Sequence, residues 1–318
     1  MDSKKKQVSL ELLPWLVVHS DGTIERLAGN GVCPPGLDPE TKVLSKDIII
    51  DPKTGLSARI YRPDTIQPDQ KLPLVLYFHG GGFLISSASF PNYHTSLNKL
   101  VAQANIIAVS VDYRLAPEHP LPIAYEDSWN ALQGIQAGNE PWINDYADLD
   151  RFFLAGDSAG ANISHHLAFR AKQSDPVTGR TVKIKGIGMI HPYFWGTEPI
   201  GSEVTEEVRK QMVDGWWKFV CPSDKGSDDP WINPFTDGSP EIDGLECEGV
   251  MIIVAEKDIL RERGKMYYER LVKSKWRGKA EIMETKGKDH VFHIFEPDCD
   301  EAMEILRRLA LFINQVET

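Results

Sequence analysis

Three things are scarce in this chain, and each scarcity removes a class of function. Positive charge is in deficit, with 35 lysines and arginines against 46 aspartates and glutamates and a formal net charge of −11. A broad electrostatic footprint for nucleic acid or for an anionic membrane is therefore not expected. The short basic run Lys4-Lys5-Lys6 reads as a solvated terminus. Cysteine is sparse: the 4 residues, Cys33, Cys221, Cys247 and Cys299, are widely spaced and form no C-x-x-C pair. Reduced thiols and no metal site are the expectation. Long apolar runs are missing as well. Leu10 to Val18 is broken by Glu11 and Pro14, and it is too short for a membrane span or for a secretory segment with its cleavage site. Together these deficits predict a soluble, cytoplasmic protein with neither nucleic acid nor membrane as partner.

What is present are two glycine motifs, each following an apolar strand-like run. Leu72 to Phe78 leads into His79-Gly80-Gly81-Gly82, and Arg151 to Ala155 leads into Gly156-Asp157-Ser158-Ala159-Gly160. The second is a G-x-S-x-G sequence in the strand-to-helix context that a nucleophile elbow requires. A serine at the apex of so sharp a turn needs neighbours without a Cβ two positions away, so that strand and helix can pass closely. The helix expected from Ala159 to about Lys172 aims its free N–H groups at the same point, where they favour negative charge. Ala159 N–H is the expected first oxyanion donor, with Gly81 and Gly82 supplying the others.

A serine hydroxyl needs a base, and the base needs an orienting acid. With the chain order serine, acid, histidine, the acid falls at the end of the apolar run Val250 to Ala255. Asp258 is chosen there over Glu256, which lies too close to the strand end. The base follows the short strand at 280–284 and the polar loop Lys286-Gly287-Lys288-Asp289. His290, at the loop apex, is preferred to His293, which sits inside an apolar stretch, and Asp289 reads as a solvated loop charge.

At this point the residues resemble a known family. His79 to Phe83 (HGGGF), Asp112 to Pro120 (DYRLAPEHP) with Pro122 and Ala124, GDSAG at 156–160, Asp258-Ile259-Leu260-Arg261 and His290-Val291-Phe292 are similar to plant carboxylesterases of the hormone-sensitive-lipase branch of the α/β-hydrolases. The segments 22–27 and Trp231 to Pro234 share the likeness, so it spans nearly the whole chain. One departure is Gly134, where relatives commonly carry tryptophan, which bears on local packing rather than chemistry. The group also includes a hormone receptor and alkaloid cyclases lacking the histidine, and isoflavonoid dehydratases with threonine in place of the serine. This chain keeps Ser158, Asp258 and His290. The resemblance therefore implies a carboxylic-ester hydrolase acting on small molecules without a cofactor, as a monomer or weak homodimer. A lyase or cyclase using His290 as a base on carbon, and a non-catalytic receptor with the amino-terminal arm as a lid, remain the alternatives.

The remaining sequence supports one α/β domain over 1–318. Strands expected at 46–50, 56–62, 72–78, 106–111, 151–155, 184–190, 250–255 and 280–284 are interleaved from the third onward with helices near 92–104, 122–137, 159–172, 259–274 and 298–315. Such alternation predicts a mostly parallel sheet, covered on both faces, with ligands at the carboxyl ends of its strands; the resemblance implies that this is an α/β-hydrolase fold. Two segments stand outside it and are expected to form a cap, the arm at 1–44 and an insertion at 193–244. Val204, Val208, Met212, Trp216 and Val220 recur every four residues in the insertion and predict one apolar helical face. Phe83, Trp216 and Trp231 are the expected pocket aromatics. The sequon Asn162-Ile163-Ser164 and the pair His165-His166 fall on the helix behind the serine, where packing is the expected role.

Overall fold

The computed structural model describes residues 7–138, 140–171 and 183–315; Lys4 to Lys6 and Lys172 lie outside the described residues. Three short strands come first, β1 (Val8–Leu12), β2 (Leu16–His19) and β3 (Ile24–Arg26), in an antiparallel sheet of their own that the sequence pattern did not predict. They are only three to five residues long. Pro14 also interrupts any alternation between them.

The main sheet begins with β4 (Val43–Asp51), β5 (Leu56–Pro63) and β6 (Leu72–Phe78), then continues after α1 (Pro91–Ala104) with β7 (Ile107–Asp112). Next come α2 (Ile123–Gln136), α3 (Pro141–Tyr146), β8 (Ala147–Asp157), α4 (Ala159–Arg170) and β9 (Gly186–Ile190). The insertion contributes α5 (Glu207–Val220), and the chain ends with β10 (Gly249–Ala255), α6 (Arg261–Lys273), β11 (Lys279–Thr285), α7 (Phe292–Phe295) and α8 (Asp300–Gln315). Strand order is β11-β10-β9-β8-β6-β7-β5-β4, antiparallel at β4–β5 and β5–β7 and parallel elsewhere. Two expectations need adjusting. α3 and α7 are additional helices, and β8 starts at Ala147 rather than Arg151.

Every residue of β6 and of β10 is buried, as unbroken apolar runs in a sheet covered on both faces should be. One face is packed by α1 and α8, through Leu97, Leu100 and Val101 on the first and Ile305, Leu309 and Ile313 on the second. α2, α4 and α6 pack the other, with Leu132, Ile163 and Tyr267 among their buried residues. α1 shows how local sequence sets the ends: Pro91 stands in its first turn, and Asn105 closes it in a left-handed conformation at φ 53°. Gly134 on α2 faces β4, where an added Cβ would lie 2.9 Å from Ile50 Cγ2, so the strand occupies the space a tryptophan would need.

Register then positions the site. Phe78 pairs with Gly156, Asp157 with Ile190, Ile190 with Ile253 and Ala255 with Thr285. The carboxyl ends of five parallel strands are thus level, and the residues just beyond them, from His79, Ser158, His191, Asp258 and His290, meet at one edge.

The two extra segments lie over that edge. From the arm, Arg26 donates to Leu84 O at 2.7 Å, to Ala116 O at 3.0 Å and to both Glu118 carboxylate oxygens. From the insertion, Glu203 forms a buried ion pair with Arg263 of α6 at 2.7 and 2.8 Å.

Candidate active site

Ser158 sits between β8 and α4 with φ 52° and ψ −114°, a conformation rarely tolerated outside glycine. The crossing that imposes it has no spare room. A Cβ on Gly160 would lie 1.8 Å from Phe78 O. Ser158 N–H donates to Ile190 O at 2.9 Å, and Ser158 O accepts from Tyr193 N–H at 3.1 Å, which locks the turn to the neighbouring strand.

Three expected residues meet here. Ser158 Oγ is 2.9 Å from His290 Nε2, and His290 Nδ1 is 2.7 Å from Asp258 Oδ2. Asp258 is buried and accepts Leu260 N–H on its other oxygen at 2.9 Å. Burial by itself would lower the His290 pKa. The charge of Asp258 and its hydrogen bond, with Asp157 and Asp289 further away, carry it above the ordinary histidine value. The imidazole is thereby prepared to hold a proton taken from the serine.

The other two candidates for these roles are placed elsewhere. Glu256 accepts Gly287 N–H at 2.8 Å and pairs with Lys286 at the surface. His293 is buried, neither of its ring nitrogens has a partner among the described residues, and burial depresses its pKa to about 3.

Beside the serine the glycine run forms a turn in which Gly81 has φ 102° and Gly82 φ 59°. Among the described residues no acceptor pairs with the N–H groups of Gly81, Gly82 or Ala159, and Gly81 and Gly82 line the cavity with Ser158. Gly80 N–H is different, because it donates to Tyr93 OH at 2.7 Å. Tyr93 OH in turn donates to Asp157 at 2.7 Å, and Tyr77 OH donates to the other oxygen at 2.8 Å. Burial pushes the Asp157 carboxyl up to about 6 against these two hydrogen bonds. Tyr113 stacks on His79 at 4.3 Å and donates to its carbonyl at 2.6 Å. The residue inside the second glycine motif thus braces the first one.

An apolar cavity of about 150 Å3 opens over the serine. Trp15 of the arm and Trp216 of α5 form one wall, with ring centroids 5.3 Å apart, and Met212, Tyr193, Ile294 and Phe295 complete it. Trp216 Nε1 donates to Gly82 O at 2.8 Å, an approach so close that a Cβ on Gly82 would lie 2.3 Å from that nitrogen.

The expected pocket aromatics need correction. Only Trp216 of the three lines this cavity. Phe83, at φ 65°, is turned inward by the same left-handed bend and is fully buried among Tyr113, Tyr125, Tyr193 and Trp217. Trp231 is on the far side of α4, stacked on Tyr125 at 4.1 Å, and lines a separate cavity with His166 and Arg170. Its position is set by Asp229, which accepts Trp231 N–H at 2.8 Å, and by Asn162, which donates to Trp231 O at 2.7 Å.

The apolar stripe of the insertion is also not one face. Val208 is 82% exposed and Val204 63%, while Val220 is buried and Val213 and Trp217 make the inward contacts. Val204 lies in a 3-10 turn (Gly201–Thr205) ahead of α5, and along α5 each four-residue step overshoots a helical turn by about 40°, so a stripe at that spacing winds round the helix.

Residues the sequence pattern did not single out include Trp15, Arg209, Tyr93 and His191. Their roles depend on contacts made across the fold, and only Asp157, inside its motif, carried a local signal. His191, Asp258 and His290 bring polar atoms within 4.8 Å of one another, a grouping that can also hold a cation. Here hydrogen bonds account for it, since Asp258 holds His290 and His191 Nδ1 accepts Val291 N–H at 2.9 Å.

Asn162 is buried and bonded to Tyr193 O and Trp231 O, which leaves no room for a glycan. His165 and His166 point to Tyr267 OH and Trp231 O respectively, as packing residues.

Comparison with known proteins gives a consistent result. Residues 75–294 match the family model described as the alpha/beta hydrolase fold. The chain is 81% identical to the Arabidopsis thaliana protein named probable carboxylesterase 2 over 317 residues, covering 100% of both. It is 41% identical to tuliposide A-converting enzyme 1, chloroplastic, of Tulipa gesneriana, covering 97% of this chain and 78% of that one. Among solved structures it is similar to EstE1, a thermophilic carboxylesterase cloned from a metagenomic library, with a TM-score of 0.73 and 27% identity over 90% of this chain and 92% of that one. Fold, register and relatives agree: the chain belongs to the α/β-hydrolase fold family, among the plant carboxylesterases of its hormone-sensitive-lipase branch.

Proposed function

We propose that this protein is a serine carboxylesterase that hydrolyses small-molecule carboxylic esters through an acyl-enzyme on Ser158. The observation that carries the reading is the continuous line from Ser158 Oγ through His290 to Asp258, at 2.9 and 2.7 Å, at the floor of an apolar cavity. Ser158 Oγ attacks the ester carbonyl while His290 Nε2 takes its proton. Asp258 holds the imidazole in orientation and stabilises its charged form. The N–H groups of Gly81, Gly82 and Ala159 receive the developing oxyanion. His290 returns its proton to the leaving alcohol, then activates water, which releases the acid and restores the serine. Apart from the ester and the water, every group that these steps use belongs to the chain itself.

The cavity, about 150 Å3 and apolar, offers space for a group the size of a benzene ring or a short acyl chain. In this reading the arm expected at 1–44, described from residue 7 onward, and the insertion at 193–244 act as the cap of a single domain, which the meeting of Trp15 and Trp216 supports. The protein works as a monomer or weak homodimer. We assign it to the cytoplasm, consistent with free thiols at Cys33, Cys221, Cys247 and Cys299. Among the described residues no helix is long and apolar enough to cross a membrane. The tulip relative is named chloroplastic, and a fluorescent fusion of the full chain distinguishes the two compartments.

The decisive experiment is Ser158→Ala, assayed with p-nitrophenyl butyrate and with a phosphonate probe. Turnover should fall by about 10⁴-fold or more and labelling should vanish. Persistence of either at the wild-type level would remove the serine from the mechanism. Trapping of an acyl-enzyme by intact mass would also exclude the lyase or cyclase and receptor readings, since neither forms one.

A further inference from the structure

We propose that Arg209 is a positioning residue for the Asp258–His290 pair, a clamp by which α5 holds the two loops of acid and base in register. Its guanidinium donates through Nη1 to Lys257 O at 2.8 Å and through Nη2 to Asp289 Oδ1 at 2.7 Å. These acceptors directly precede Asp258 and His290 in the chain. Asp289 Oδ1 also accepts His290 N–H at 2.7 Å, so one oxygen joins the guanidinium to the backbone of the base. Lys257 N–H donates to Lys288 O at 2.9 Å, which closes a ring of hydrogen bonds between the two loops.

The same helix reaches the third part of the site. Trp216 follows Arg209 by seven residues, about two helical turns, and therefore lies on nearly the same face. Its indole N–H holds Gly82 O at 2.8 Å. One face of α5 thus touches the loops bearing the acid, the base and two oxyanion donors.

The base loop needs such a restraint. Lys286, Gly287 and Asp289 are exposed, and apolar packing resumes only at Phe292. From beneath, the loop is held by His191 Nδ1, which accepts Val291 N–H at 2.9 Å; Arg209 supplies the matching hold from above. An ion pair as exposed as Arg209–Asp289, at 32% and 53%, adds little to folding stability. Its effect belongs to alignment, where a displacement of about 1 Å can cost up to about 10² in rate.

A charge signature accompanies the geometry. The charged and titratable groups around His290 are Asp258 and Asp157 at the ends of β10 and β8, His191 after β9, His293 on α7, Asp289 on its own loop and Arg209 on α5. Removing the Arg209 charge leaves Asp289 unpaired beside the imidazole, which favours its protonated form.

The inference rests on the serine esterase reading, and steady-state kinetics of the full chain with p-nitrophenyl butyrate test the two separately. Failure of the serine reading shows as wild-type turnover that survives Ser158→Ala. For the clamp, Arg209→Gln should lower kcat roughly tenfold, leave KM within about twofold, and move the acid limb of kcat/KM to higher pH by a few tenths of a unit. Arg209→Lys should restore the position of the limb but not the full kcat, because one ammonium cannot reproduce the two-point fork. In an Asp289→Asn background the cost of Arg209→Gln should shrink, since the partner charge is already gone. A loss confined to KM would make Arg209 a cavity wall only, and a full Arg209→Gln penalty in the Asp289→Asn background would show that the clamp does not act through Asp289. Either result overturns the proposal. Should Arg209→Gln fail to fold by thermal melting, Asp289→Asn alone decides: lowered kcat with the limb at lower pH supports the clamp, and unchanged kcat overturns it.

Discussion

Around Ser158 the supporting side chains are buried: Asp157, Tyr77, Tyr93, Asp258 and His191 are all at or below 3% exposure. In α5, which covers them, only Val213, Trp217 and Val220 of 14 residues are buried, and Val208 and Met212 are 82% and 46% exposed. The floor of the site is held by hydrogen bonds inside a packed core, the cover by a few anchors at its edge. The contrast separates two requirements. Acyl transfer needs donors, base and nucleophile fixed to within a fraction of an ångström. Admitting a substrate needs a layer of lower local stability that can open. The exceptions are Trp216 and Arg209, where the cover is bonded to the floor.

The junction between floor and cover offers the strongest test. Gly82→Ala places a Cβ at a left-handed φ of 59°, 2.3 Å from Trp216 Nε1, so either the glycine turn or the tryptophan must shift. We expect kcat to fall roughly 10²-fold, comparable to losing one oxyanion donor. A variant that turns over as fast as wild type would show that floor and cover need not fit so closely.

A smaller effect distinguishes the floor through pH. His293 lies 2% exposed beneath His290 with its pKa held near 3 by burial, against 6.5 in an ordinary setting. Below 6.5 the unfolded chain binds a proton that the folded chain refuses. The His293 contribution to stability is therefore complete above pH 6.5 and is lost as pH falls toward 3. By pH 5 the loss amounts to about 2 kcal/mol. Asp157 runs the other way: its folded pKa of about 6 lies above the ordinary 3.8, so its contribution is present at low pH and lost as pH rises through about 6. Urea unfolding of His293→Leu at pH 7 and pH 5 should show a loss of stability on acidification smaller by about 2 kcal/mol than in wild type. Equal losses in both proteins would mean that His293 is not held neutral by the core.

The mildest change is expected in the cover. Trp216→Ala should alter the ratio of kcat/KM between acetyl and hexanoyl p-nitrophenyl esters by up to about tenfold, whereas Trp231→Ala should leave it within about twofold. An equal shift from Trp231, on the far side of α4, would break the division between a selective cover and the rest of the molecule.

How much of this could be read beforehand depended on the range of the interactions involved. The strands β6 and β10 announce themselves as unbroken apolar runs, and the turn at Ser158 is dictated by glycines two residues to either side. Asp258 and His290 lie in the short loops after β10 and β11, so chain order and strand ends were sufficient to nominate them. β1, β2 and β3 could not be recognised, because strands of three to five residues carry too little alternation. The stripe from Val204 to Val220 misled, because Val204 falls in a 3-10 turn before α5 and a four-residue spacing drifts round a helix whose true period is 3.6. Phe83 and Trp231 misled because aromatic character says that a side chain will be buried without saying against what.

The sequence by itself therefore determined the proposed reaction end of the protein: the serine turn, the glycine run, and the aspartate and histidine, each placed just beyond the end of a strand. Those are local consequences of sterics and apolar patterning. Tertiary structure decided which aromatics face the cavity, that Tyr93 and Asp157 brace the glycine turn, and that Arg209 on a distant helix reaches the loops of both Asp258 and His290. Such pairings join residues far apart in the chain, and they exist only once strand register and helix packing have brought their elements together.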